Sequence, residues 1–504
     1  MKTAKIVLTF AFLAFLSCSD SSTDGESELC AIKNVGSINV SSSSINSSFQ
    51  IPPGDTTFIS LKGTTAEFTG ENVNIEQHSI YGTIVEIEDD GIYSVQGSLN
   101  PGFIAVNKKG INPIIILNGV NITSPKYAAL TCLKKSNIIL VLEANSTNIL
   151  TDGGQDATDG KYNLGYDTEE QPNATLLVRD DLTIVGSGKL IVNSNLNNGI
   201  GSRANLRIEG GDITVNNAPN NALKGNDGII ITGGTFNLVS SDDGIKSDET
   251  ITINSGAFTI SVGGDAISAE KSITINDGYI DIIESYEGLE SYDINLNGGL
   301  VRIKAIDDGI NVSGSTSTES AICTAWYCGG GGGEKGKLGG VINGALTITG
   351  GQHRIEGNAD GIDSNGDIVM NGGTVVVFST STRGGAIDAA GTFTLTGGML
   401  VAAGADFGGQ FKAPSNATQN MFLTNFSSIS PCSLINVSSA SGTEVATFTA
   451  LSNTVALLVS SPELSAGAYT ISQGGSHSGT PNALGLYEGE SYSGGAVVKN
   501  ITLR

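Results

Sequence analysis

Apolar residues along this chain recur in short alternating pairs rather than in helical stripes. A small residue followed by Ile or Leu stands at Gly199-Ile200, Ala222-Leu223, Gly244-Ile245, Ala266-Ile267, Gly288-Leu289 and Gly309-Ile310, spaced 23, 22, 22, 22 and 21 residues apart. The pair returns at Gly361-Ile362 and Ala386-Ile387 and stands earlier at Ala129-Leu130 and, more weakly, at Ala174-Thr175. Between anchors lie two further alternations. Leu206/Ile208, Ile229/Ile231, Ile251/Ile253, Ile273/Ile275, Ile294/Leu296, Leu346/Ile348 and Ile368/Met370 form a first column. Ile213/Val215, Phe236/Leu238, Phe258/Ile260, Ile280/Ile282, Val301/Ile303 and Val375/Val377 form a second. Period two is that of a strand with one buried face. Three such strands cannot bury their apolar faces within a single coil, but coils stacked at the ~4.8 Å strand spacing bury them in continuous columns. The pattern therefore predicts an all-β fold, a parallel β-helix of about 22 residues per coil.

Asn254, Asn276, Asn297 and Asn371 recur at one turn, where asparagine tolerates the left-handed conformation that such corners need. The lack of any long 3.6-period stretch excludes a globular α/β fold, and a propeller blade would need ~40 residues. His353 falls on the second column and is expected as a core histidine satisfied by a neighbouring backbone group. From about Gly404 the repeat dissolves into alternations such as Val455 to Val459, which predict a small C-terminal β cap or domain over 404–504.

The first residues read as an export signal over 1–17, with Lys2 and Lys5 ahead of the apolar run Ile6 to Leu16. Ser17-Cys18 resembles a lipobox, in which Cys18 becomes the acylated residue of a surface or outer-membrane lipoprotein. Residues 18–70 then form an acidic, Ser-rich tether followed by N-terminal strands, and 71–403 the β-helix, interrupted by an insertion over 313–340. The lipid is the one expected membrane attachment. Fifty acidic against 26 basic residues, a net charge of −24, argue against nucleic acid and for cations. In an oxidising compartment the close pair Cys323 and Cys328 is the expected disulfide.

Several ordered motifs resemble a known family. They are Gly91-Ile92-Tyr93 with Gly97, Leu117 to Ile122, Asn148 to Gly153, Arg179 to Ile184, Asp243 to Ser247 and Asp360 to Gly366. Together they resemble the bacterial carbohydrate-binding domain family of secreted right-handed parallel β-helices, structurally similar to polysaccharide lyases. Ser460 to Glu463 and Tyr492 to Gly495 extend the resemblance towards the C-terminus. It implies binding of cellulose-like or polygalacturonate-like polysaccharide with calcium.

The corner ahead of each anchor holds Asn198, Asn221, Asp243, Asp265, Glu287, Asp308 and Asp360. Two full charges at ~4.8 Å repel by roughly 3 to 4 kcal/mol at an effective dielectric of about 20. Calcium, which takes several carboxylate oxygens in flexible geometry, would offset that, so Asp243, Asp265, Glu287 and Asp308 are the candidate ligands. The loop Asp152 to Glu170, with Asp156, Asp159, Asp167 and Glu169, is a second acidic cluster and a weaker calcium candidate. Immediately after an anchor aliphatic stand Lys224, Lys246 and Asp363, candidates for uronate binding. A lysine beside calcium-held carboxylates would equally suit a β-elimination lyase, which is the alternative reading. Trp326 and Tyr327, inside the Cys323 to Cys328 loop, would present a sugar-stacking surface. No Ser/His/Asp or zinc spacing emerges. A third reading is a structural stalk or adhesin that needs no glycan at all.

Overall fold

The structure, a computed structural model, describes residues 49–153, 173–313, 342–489 and 491–504. They form a parallel β-solenoid of about 13 turns with about 23 residues per turn. Three ladders of parallel strands run its length. In the anchor ladder Leu130, Leu176, Ile200, Leu223, Ile245, Ile267, Leu289, Ile310, Ile362 and Ile387 stack in register, all buried. The earlier, weaker anchor is thus Thr175-Leu176 rather than Ala174-Thr175. Thr175 replaces the small residue because its buried hydroxyl donates to Asp152 Oδ2 at 2.7 Å.

The two predicted columns are the other two ladders, paired as Leu206, Ile229, Ile251, Ile273, Ile294, Leu346, Ile368 and as Ile213, Phe236, Phe258, Ile280, Val301, His353, Val375. Phe236 and Phe258 stack with ring centroids 4.4 Å apart, an arrangement that period-two burial alone does not demand. Because Ile294 pairs directly with Leu346, and Ile310 with Ile362, the ladders continue unbroken across the insertion.

The turn between these two ladders corrects one expectation. The left-handed residue is the glycine two places after the asparagine: Gly256, Gly278, Gly299 and Gly373 all have positive φ, and Asn254, Asn276, Asn297 and Asn371 do not. A Cβ on Gly278 would lie 2.8 Å from the Gly256 carbonyl oxygen of the coil below. The asparagines instead bond to one another through their side chains. Asn276 Nδ2 donates to Asn254 Oδ1 at 2.8 Å, and Asn297 Nδ2 to Asn276 Oδ1 at 2.9 Å. His353 is buried, with Nε2 2.8 Å from the Gly350 carbonyl oxygen, as expected of a core histidine.

Both ends depart from parallel pairing. At the N-terminal end Thr56–Gly63 pairs in parallel with Ile92–Leu99 and antiparallel with Ala66–Thr69, while Val73–His78 lies antiparallel on Gly82–Ile87. At the other end Thr454–Ser460 pairs antiparallel with Phe393–Gly404 and with Met421–Ile429. A four-stranded antiparallel sheet of Leu434–Ser439, Glu444–Thr449, Gly467–Gln473 and Ala496–Leu503 shares a core with Val376, Phe378, Val401 and Ala403 on the outside of the solenoid. Arg354, buried there, pairs with Glu356, lies over the Phe378 ring and donates to the Leu484 carbonyl at 2.7 Å.

Candidate cation and glycan site

The acidic corner is buried, and its side chains brace the coils. Asp243 Oδ1 accepts the backbone N–H of Asp265 at 2.8 Å, Asp265 Oδ1 that of Glu287 at 3.3 Å, and Asp308 Oδ1 that of Asp360 at 2.9 Å. Asn198 does the same for Asn221 at 3.1 Å. One oxygen of Asn198, Asp243, Asp265 and Asp308 therefore satisfies the next coil's corner, a bond that needs a short side chain with an acceptor oxygen. The second oxygen remains for other work.

Burial is the chief cause of the electrostatics that follow. It pushes the carboxyls of Glu287 and Asp308 up to about 8 and that of Asp360 up to about 7, with neighbouring carboxylates adding to the effect. Asp265 is raised as well, by burial and then by a hydrogen bond shared with the Glu290 carboxyl. Taking up a proton is thus this corner's alternative to holding a cation.

Two groups of carboxylate oxygens gather within 4.8 Å: Asp265, Glu287 and Glu290, and Glu287, Asp307 and Asp308. Of the four expected ligands, Asp265, Glu287 and Asp308 fall into these groups. Asp243 does not, because it is ion-paired with Lys246 at 3.4 Å. Glu290 and Asp307 join instead. Glu290 occupies the same outward place after its anchor as Lys246, and Asp307 directly precedes its corner residue as Asp242 does, so both were visible as repeat positions. Glu287 is common to both groups. Its Oε1 accepts from Asn311 Nδ2 at 2.9 Å, while Oε2 is buried with no hydrogen-bond partner among the described residues. An orphaned carboxylate oxygen amid an all-oxygen donor set fits a hard cation of the calcium class, whose oxygens stand 2.3–2.6 Å from the ion.

Outward from the corner, Lys224, Lys246, Ser268, Glu290, Asn311, Asp363 and Asp388 form one polar column down the anchor ladder. The three expected binding residues Lys224, Lys246 and Asp363 share this column. Lys224 pairs with Asp248, and Lys246 Nζ donates to Ser268 Oγ at 2.7 Å. Burial alone would lower the Lys246 pKa, but Asp243, Glu290, Asp265 and Glu270 outweigh it and raise it, so the amine stays an ammonium. Asp152 is buried, with Oδ1 accepting the Asn195 N–H at 2.6 Å and Oδ2 taken by Thr175. Cys18, Asp156, Asp159, Asp167, Glu169, Cys323, Trp326, Tyr327 and Cys328 lie outside the described residues. Of the other cysteines, Cys432 is disulfide-bonded and Cys132 is a buried free thiol.

The acidic corners thus stack beneath one polar outward column of the β-solenoid. Residues 81–328 match the family model described as carbohydrate-binding domain-containing protein, the family the motifs resemble. That span holds both carboxylate groups and ends before the motif at Asp360. A carbohydrate-binding domain-containing protein of Acetivibrio thermocellus is 36% identical over 143 residues, 28% of this chain and 48% of the relative. The chain thus spans about half the length of the curated relative it matches. The solved structure of the polysaccharide lyase-like protein from C. thermocellum, a gadolinium derivative, is 30% identical with a TM-score of 0.39, over 50% of this chain and 96% of that one.

Proposed function

We propose that this chain is an exported polysaccharide-binding protein, anchored by a lipid on Cys18, that takes acidic, polygalacturonate-like or cellulose-like glycans with calcium at the Glu287 corner. The observation that carries this reading is the pair of carboxylate groups sharing Glu287, with its orphaned Oε2, inside the span that matches a carbohydrate-binding family. Asp265, Glu287 and Glu290 would hold an ion on one side, and Glu287, Asp307 and Asp308 on the other. Bound calcium would supply positive charge to uronate oxygens. The Lys246 ammonium, set in the adjoining column, adds a donor for a sugar carboxylate.

Binding rather than cleavage is supported by the match of residues 81–328 to a family described by carbohydrate binding. A lysine beside calcium-held carboxylates would also suit β-elimination, so the test follows both outcomes. The test is retention on polygalacturonate and on insoluble cellulose, with calcium and with EDTA, while the absorbance of unsaturated products is followed. Calcium-dependent retention without sustained product is expected. Sustained product would make the protein a lyase, and no retention on either polymer would leave a structural stalk. For the anchor, Cys18→Ala should move the protein from the membrane to the soluble fraction; unchanged partitioning would refute lipidation.

A further inference from the structure

Beside the acidic corner the surface carries two large side chains that the fold does not use. Tyr286 is 48% and Ile306 52% exposed. Each directly follows one of the paired residues Ser285 and Ala305, so they leave the second ladder side by side on adjacent coils. Their backbones are bonded in the same order, Ile306 N to Ser285 O at 2.8 Å and Asp307 N to Tyr286 O at 2.9 Å. Tyr286 stands one place and Ile306 two places before the corner residue, and ahead of the other acidic corners both places are small or polar: Ser241-Asp242, Gly263-Gly264 and Asn358-Ala359. Among the acidic corners the aromatic and aliphatic pair is therefore confined to the two coils whose corners are Glu287 and Asp308.

The pair also adjoins the acidic corner. The Tyr286 hydroxyl lies beside the Asp307 carboxylate, a member of the second carboxylate group, and that carboxylate is the chief cause that pushes the phenol up to about 12. On the other side the neighbouring coil offers only Gly263 and Gly264, with the Tyr286 N–H donating to the Gly264 carbonyl at 2.7 Å. Neither glycine has a side chain to cover the ring from there. A half-exposed aromatic ring flanked by a half-exposed aliphatic residue has the form of a stacking platform for a pyranose, whose C–H face suits the negative face of the ring.

Resting on the proposed glycan binding, we propose that Tyr286 and Ile306 form a sugar-stacking subsite that seats one hexuronate ring of an acidic polysaccharide beside the Glu287/Asp307/Asp308 carboxylates. The ring plane lies on the tyrosine and isoleucine, and the sugar's carboxylate edge points to the corner. This deepens the function by naming the ring-binding surface and the sugar class: a uronate, whose charge a cation-bearing corner would select over a neutral hexose.

Calorimetric titration of full-length protein with galacturonate oligosaccharides in calcium tests it. Tyr286→Ala should weaken binding by about fivefold or more, Tyr286→Phe by about twofold or less, and Ile306→Ser by an intermediate factor. The melting temperature of each variant should stay near that of the wild type, since both side chains are half exposed. Tyr286→Ala that binds as tightly as the wild type, in protein that itself binds the oligosaccharide, overturns the subsite and leaves glycan binding standing. Wild-type protein that binds neither acidic nor neutral oligosaccharide overturns both.

Discussion

His353 is a titratable group placed where its neighbours in the stack, Val301 and Val375, are aliphatic. Burial lowers its pKa to about 4, against about 6.5 in the unfolded chain. The unfolded state therefore takes up the proton first. Stability from the neutral ring is fully present above about pH 6.5 and is lost as the pH falls from there to about 4, a loss of about 3 kcal/mol. His353→Leu should melt with a shallower loss between about pH 7 and pH 4 than the wild type; parallel curves would mean that the ring is not held neutral. At the Glu287 corner, Asp265→Asn with Glu287→Gln keeps the oxygen that accepts the Glu287 N–H and the oxygen that accepts from Asn311 Nδ2, but removes the ability to carry charge. The pair should abolish the calcium-dependent rise in melting temperature, about 2.7 kcal/mol at a hundredfold excess over the dissociation constant, with little change in EDTA. A rise of wild-type size would exclude this corner as the cation seat. The corner was legible as a repeat position because Asp, Asn or Glu precedes the seven successive anchors from Gly199-Ile200 to Gly361-Ile362. That Glu290 and Asp307 would join it and Asp243 would not depends on which side chain Lys246 reaches, and a one-dimensional repeat does not encode that.

Each strand in this molecule is too short to stand alone, and the ladder is the unit that stores stability. Ile245 sits between Leu223 below and Ile267 above, all three buried. Ile245→Asp would place a carboxylate in that column with no partner, at a cost of several kcal/mol. Limited proteolysis should then cut first near residues 223–267 while the distal coils stay protected, and a wild-type digestion pattern would contradict the stacked column. This level of structure was legible almost in full, since period-two alternation at a constant interval admits few arrangements other than stacked coils. Two misreadings have a shared cause. Ala174-Thr175 mimics the anchor Thr175-Leu176, and asparagine mimics the left-handed corner that glycine takes, because residue preference alone leaves out the hydrogen bonds that decide both: Thr175 to Asp152, and Asn276 to Asn254.

At the scale of the whole molecule the C-terminal segment was legible only as a loss of the repeat. Its docking against the side of the solenoid, through Phe378 and Val401, could not be read from alternation because those residues lie on the outward face of their strands. The antiparallel closure of both ends carries a further consequence. A parallel ladder with an open end is a growth template, since the next coil can come from another chain. Here the first rungs are covered by Ala66–Thr69 and Val73–His78, and the last by Thr454–Ser460. Removing residues 421–504 should uncover one end only, so two truncated molecules could pair tail to tail and stop: light scattering should detect a dimer that forms with concentration and grows no further. A truncated chain that stays monomeric at every concentration would refute this. Opening both ends would permit head-to-tail addition, which does not close on itself. The short antiparallel strands at the two ends thus make the difference between a rod of fixed length and a polymerising filament.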